Sequence, residues 1–175
     1  MNGITGPRRS ARPARLALAA VLGRDIDGAW WPHTASLGSE LPGLIEALHQ
    51  QLGEIVDISV NWSPTEGAPD LNSMMFGATL TPGWHNRRQR LMMIAGRNDC
   101  AKLLVVPYMT KPALGLMVLR LAAAIPIPGG QQDTKLFETA DRVVRAARAE
   151  SETWANWTRN AQAAESRAAQ VSPDV

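Results

Sequence analysis

The sequence predicts an α+β fold: a small, mostly antiparallel sheet with helices on one face and a long C-terminal helix. Three observations lead there. The apolar period switches from three-and-four to two at Gly53-Glu54, which is a helix running into a strand. Short apolar runs then recur between turn signals, at 90–95 and 102–106, as strands of a meander do. After the Pro126-Ile127-Pro128-Gly129-Gly130 break, the rest of the chain is amphipathic and rich in alanine, the mark of a single long helix.

Taken in order, residues 1–14 form a disordered basic tail, holding Arg8, Arg9 and Arg12 among Gly, Pro and Ser without periodicity. The single α+β domain covers 15–125. Leu16, Leu18 and Ala20 share one side of a first strand. Asp25-Ile26-Asp27-Gly28 is a turn that opens onto Trp30-Trp31-Pro32. Adjacent residues of extended chain point to opposite faces, so one Trp enters the core directly and the other covers the sheet edge, unless the pair is a contact surface. Ser36 or Ser39 starts a helix with Pro42 near its first turn. Leu41, Leu44, Ile45, Leu48 and Leu52 line its buried face, and Gly53 ends it. Ile55, Val56, Ile58, Val60 and Trp62 read as a strand, 65–72 as a loop, and Ser73–Leu80 as a further strand. The Gly96-Arg97-Asn98-Asp99 turn joins the strands at 90–95 and 102–106 into an antiparallel hairpin. Leu103 to Val106 is apolar on both faces, which suits a central strand. Leu114, Met117, Val118, Leu121 and Ile125 mark a second helix. Residues 126–132 are a Pro/Gly linker, 133–167 an amphipathic helix lined by Phe137, Ala140, Val144, Ala147, Trp154 and Ala161, and 168–175 a disordered tail.

Composition narrows the function classes. With 45% hydrophobic and 19% charged residues, the chain forms a core. One cysteine, Cys100, makes no internal disulfide and points to the cytoplasm. The longest apolar stretch, 113–127, is broken by Arg120 and Pro126 and falls short of a membrane span. A net charge of +2 is too small to argue for nucleic acid by itself.

No dinucleotide-binding glycine pattern, P-loop or nucleophile elbow is present, so no cofactor and no catalytic residue is assigned. His33, His49 and His85 lack metal-ligand spacing, and no metal is assigned. Three groups remain as candidates. Asp27, Trp30, Trp31 and His33 combine flat rings with polar handles, as a small-ligand or protein-partner site does. Trp84, Arg87, Arg88 and Arg90 bring an aromatic and basic groups together, a pattern that stacks a base and holds phosphate in RNA binding. Trp154 and Trp157 would anchor a partner helix or a homo-oligomer. The bland readings are core packing for the first group, a solvated loop for the second and self-packing for the third.

Asp27-Gly28-Ala29-Trp30-Trp31-Pro32, Glu40-Leu41-Pro42 and Leu103-Leu104-Val105-Val106-Pro107 together resemble an uncharacterised actinobacterial family of small proteins, over residues 15–125. The chain departs from that pattern at His33-Thr34, where Arg-Ser is expected, and at Tyr108, where a second Pro is expected. The resemblance implies a shared fold and carries no activity. The expectation is therefore an uncharacterised, non-enzymatic cytoplasmic binding or regulatory protein, with RNA- or ribosome-associated factor and enzyme of unrecognised type as the alternatives.

Overall fold

The computed structural model describes residues 12–75 and 88–170. Residues 12–14 of the expected basic tail lie in no regular element; the rest of that tail falls outside the described residues. Among the described residues there are five strands and five helices: β1 (Arg15–Leu18), β2 (Gly28–Trp31), α1 (Leu37–Leu52), β3 (Ile55–Val60), α2 (Leu71–Met75), β4 (Leu91–Gly96), β5 (Cys100–Val105), α3 (Pro112–Ala122), α4 (Gly129–Gln132) and α5 (Lys135–Gln170).

The strands form one sheet in the order β1-β2-β5-β4-β3. Three of its four pairings are antiparallel and one, β2 with β5, is parallel. The fold is therefore α+β with a mixed sheet. In the β4–β5 hairpin Ala95 is paired with Cys100, and the Gly96 amide donates to the Asp99 carbonyl at 2.9 Å.

Both faces of the sheet are covered, which corrects the expectation of helices on one face. On one side Leu44, Leu48 and Leu52 of α1 pack with Trp30, Met92, Ile94, Ala101, Leu103 and Val105. On the other, Trp31, Leu91, Leu104 and Val106 meet Leu71 of α2, Leu114 and Val118 of α3, and Ala140, Val144 and Ala147 of α5. The alternation of a strand is the reason: consecutive residues of β2, β4 and β5 feed opposite cores.

Two glycines show how closely the layers meet. A Cβ on Gly115 of α3 would lie 2.8 Å from three atoms of the Trp31 ring, so this residue lets the helix settle on the indole. Gly53 ends α1 at φ 74°, with its amide donating to the His49 carbonyl at 2.9 Å. Its left-handed backbone reverses the chain into β3.

Ser73–Leu80, read as a strand, begins instead inside α2; Ser73 donates to the Asp70 carboxylate at 2.5 Å, which caps this turn of helix, and 76–80 fall outside the described residues. Ile125 lies beyond the end of α3 and is exposed. The 126–132 stretch contains α4, and its Ile127 is buried. The first half of α5 belongs to the same core as the sheet, and the helix continues through Gln170, past the end expected at Arg167.

Candidate functional site

Strands β2 and β5 are neighbours and parallel, yet the chain leaves them in opposite directions: β2 leads to α1 on one face, β5 to α3 on the other. Open sheets flanked by helices place their ligands at the carboxyl ends of strands that diverge in this way. The loops gathered at this end are 32–36 after β2, 61–70 after β3, 88–90 before β4 and 106–111 after β5.

Polar side chains knit these loops. Asn61 donates to the Gln89 carbonyl at 3.0 Å and accepts from the Leu91 amide at 2.7 Å. Asn72 donates to the Met109 carbonyl at 3.0 Å and accepts from the Lys111 amide at 2.8 Å, so the 107–111 loop is clasped to the start of α2. Between the start of α2 and this loop lies a cleft of about 250 Å³, walled by Pro69, Leu71, Pro107, Tyr108, Met109 and Thr110, with no residue of the 32–36 loop in its walls.

Among the described residues, four buried side-chain polar atoms have no hydrogen-bond partner: Trp31 Nε1, Gln89 Oε1, Arg90 Nε and Thr110 Oγ1. All four belong to this end of the sheet. Trp31 closes β2, Gln89 and Arg90 precede β4, and Thr110, only 4% exposed, lines the cleft. Native structures satisfy the large majority of such atoms, and each exception calls for a cause.

His33 sits on the β2–α1 loop of the same end, its Nε2 3.0 Å from the Pro13 carbonyl oxygen. Glu40 of α1 reaches back and accepts from the His33 amide at 2.7 Å and from the Thr34 amide. Partial burial pushes the Glu40 carboxyl up, but the hydrogen bonds from His33 and Thr34 outweigh it and hold the group below the ordinary glutamate range. A carboxylate stabilised in this way contributes to stability above the unfolded value, about 4.3, and loses that contribution as pH falls through its lower folded value. Glu40→Gln should therefore destabilise the protein in urea titrations at neutral pH, with the gap closing as pH falls below the ordinary glutamate range.

The other sequence candidates separate. Asp27 stands at the opposite end of β2 from His33, about 20 Å away along extended chain, so the two do not share a site. Its carboxylate accepts from the amides of Gly23 at 2.8 Å, Arg24 at 3.0 Å and Lys102 at 2.9 Å. Trp30 and Trp31 are 1% and 3% exposed. Both are core residues, one per face, and neither ring is open to a partner. The Arg15 guanidinium lies 3.6 Å from the centroid of the Trp31 ring and donates to the Trp31 and Pro32 carbonyls. Trp84 and Arg87 fall outside the described residues. Arg88 is exposed and 3.8 Å from Glu150, while Arg90 lies over Trp62 and donates to the Glu66 carbonyl. Trp154 is half-buried against the α3–α5 core; Trp157 is 68% exposed. Cys100 is exposed at the start of β5. The described residues contain no cluster of three His, Cys, Asp or Glu placed to hold a metal ion, and no helix long and apolar enough to cross a membrane.

The molecule is thus an α+β domain with a mixed, doubly covered sheet and a cleft at the end where its parallel strands diverge. It belongs to DUF5994, a family of unknown function, whose model matches residues 15–122. The match runs from β1 to the last residue of α3 and takes in the whole cleft, leaving α4 and α5 beyond it. No curated protein and no solved structure matches the chain.

Sequence reasoning missed Pro69, Leu71, Pro107, Met109 and Thr110. The signal for Thr110 was absent, since one threonine in a loop is ordinary. Tyr108, the chain's one tyrosine, stood out only as a departure from the family pattern.

Proposed function

We propose that this protein is a non-enzymatic binding domain whose ligand occupies the 69–72/107–110 cleft. One observation carries the reading: a hydroxyl without a partner, Thr110 Oγ1, is buried at an apolar cleft on the sheet end where ligands collect. Burying such a group unpaired costs about 1–3 kcal/mol, a cost that a ligand able to exchange hydrogen bonds with it would offset. The walls are otherwise Pro, Leu, Met and the Tyr108 ring. They suit a small, largely apolar molecule carrying at least one hydrogen-bonding group, smaller than a drug-sized ligand given the cleft volume. A cytoplasmic location and a regulatory role are parts of the same proposal.

Two measurements test it. Ligand-observed NMR against a library of small aromatic and aliphatic alcohols, amides and acids should give hits that shift the amides of residues 69–72 and 107–110. Thr110→Val should weaken those hits while raising stability by about 1 kcal/mol, because an isosteric methyl removes an unpaired buried hydroxyl. Hits that bind Thr110→Val unchanged, or that map elsewhere on the protein, would sink the proposal. A Thr110→Val variant less stable than wild type would show that the hydroxyl already has a partner.

A further inference from the structure

The stripe that buries the first half of α5 does not stop where the core stops. Ala140, Val143 and Ala147 are buried against α3 and the sheet, and beyond Glu150, which takes the next position, the alternating spacing of three and four resumes through Trp154, Trp157, Ala161, Ala164 and Ala168. Apolar residues at this period are the seam of a two-helix coil. From Glu152 to Gln170 every residue is exposed except Trp154, Ala155 and Ala161, which are half-buried. This part of the helix runs about 28 Å, with a 68%-exposed indole at Trp157.

We infer that the occupant of this stripe is a second copy of the chain, whose α5 lies antiparallel. Size complementarity selects both partner and direction. Each large residue of the seam is matched by a small one further along it. In one antiparallel register Trp154 meets the second copy's Ala164 and Trp157 meets its Ala161, and the two-fold axis repeats both layers. A parallel pair would oppose indole to indole and methyl to methyl, overfilling two layers and leaving voids in the next. Charge agrees with the antiparallel register. Arg167 comes level with the second copy's Ser151, between Glu150, which pairs with its own Arg88, and the exposed Glu152, and the two macrodipoles oppose. The Arg159 side chains point away from the seam, each donating to its own Asn156 Oδ1 at 2.7 Å. The surface removed would be on the order of 1,000 Å², at the low end of specific interfaces, so dimerisation should depend on concentration.

Analytical ultracentrifugation of the full chain should show a monomer–dimer equilibrium reaching mainly dimer at about 0.1 mM. Trp157→Glu and Ala161→Glu should each return the protein to monomer while circular dichroism retains the native spectrum, Trp157 being solvent-facing. Direction is read with a nitroxide at Ser166→Cys in a Cys100→Ser background. The antiparallel register sets the two labels about 21 Å apart along the axis, whereas a parallel pair sets them side by side. A wild-type monomer at that concentration would assign the stripe to a different occupant and overturn the inference. So would a dimer indifferent to both substitutions, or labels found side by side.

Discussion

Trp30→Ala and Trp31→Ala should each cost about 3–5 kcal/mol, and the double variant should not fold. Both indoles are almost fully buried, but they stand in different cores. Trp30 packs with Leu44, Leu48 and Leu52 under α1, and Trp31 packs with Leu114 and Val118 under α3. Two cavities on opposite sides of a sheet share no neighbours that could collapse into both, so the costs should add. Their sum approaches the whole stability of an ordinary domain, about 5–15 kcal/mol. Urea titration followed by near-ultraviolet circular dichroism tests this. A double variant that keeps a cooperative transition and a native aromatic spectrum would return the pair to the surface role that the sequence first suggested.

That suggestion shows where the sequence was legible. Elements written in local periodicity could be read: α1 in the spacing of Leu41, Leu44, Leu48 and Leu52, β3 in the switch after Gly53, and the β4–β5 hairpin in its four-residue turn. What failed was long-range. The parallel pairing of Ala29 with Leu104 joins strands separated by most of the domain, and no local pattern announces it. Without it the divergence of the two chain exits stays invisible. The Trp pair was left open between core and contact surface for a related reason. Alternation correctly sent the two rings to opposite faces, but a sheet with one covered face had been assumed, so one ring was left over. The apolar-on-both-faces run at Leu103 to Val106 already argued for two cores. Ser73 to Met75 failed otherwise: the Asp70 cap, which accepts from the Asn72 amide and the Ser73 hydroxyl, overrode a weak strand pattern.

Asp27 carries the second large effect, and it separates polar architecture from polar chemistry. Its side chain is 2% exposed and accepts three backbone amides, two from the 23–24 turn and one from Lys102. Its own amide donates to the Lys102 carbonyl at 2.8 Å, and its carbonyl accepts from Ala19 at 2.7 Å. One residue therefore fixes the end of β1, the entry to β2 and the register against β5. Asp27→Asn preserves volume, so no cavity confuses the result. Whichever way the amide is turned, its NH₂ faces at least one backbone N–H that formerly had a charged acceptor. Each buried donor left unpaired costs about 1–3 kcal/mol, and the lost charge-assisted bonds are the stronger kind. Asp27→Asn should cost about 3 kcal/mol by urea titration, and Asp27→Ala more, since it strands all three amides. Hydrogen exchange supplies the mechanism-specific readout: the amides of Gly23, Arg24 and Lys102 should lose protection ahead of those in the β4–β5 hairpin. Retention of their protection in Asp27→Asn, with stability unchanged, would show that the clamp is dispensable.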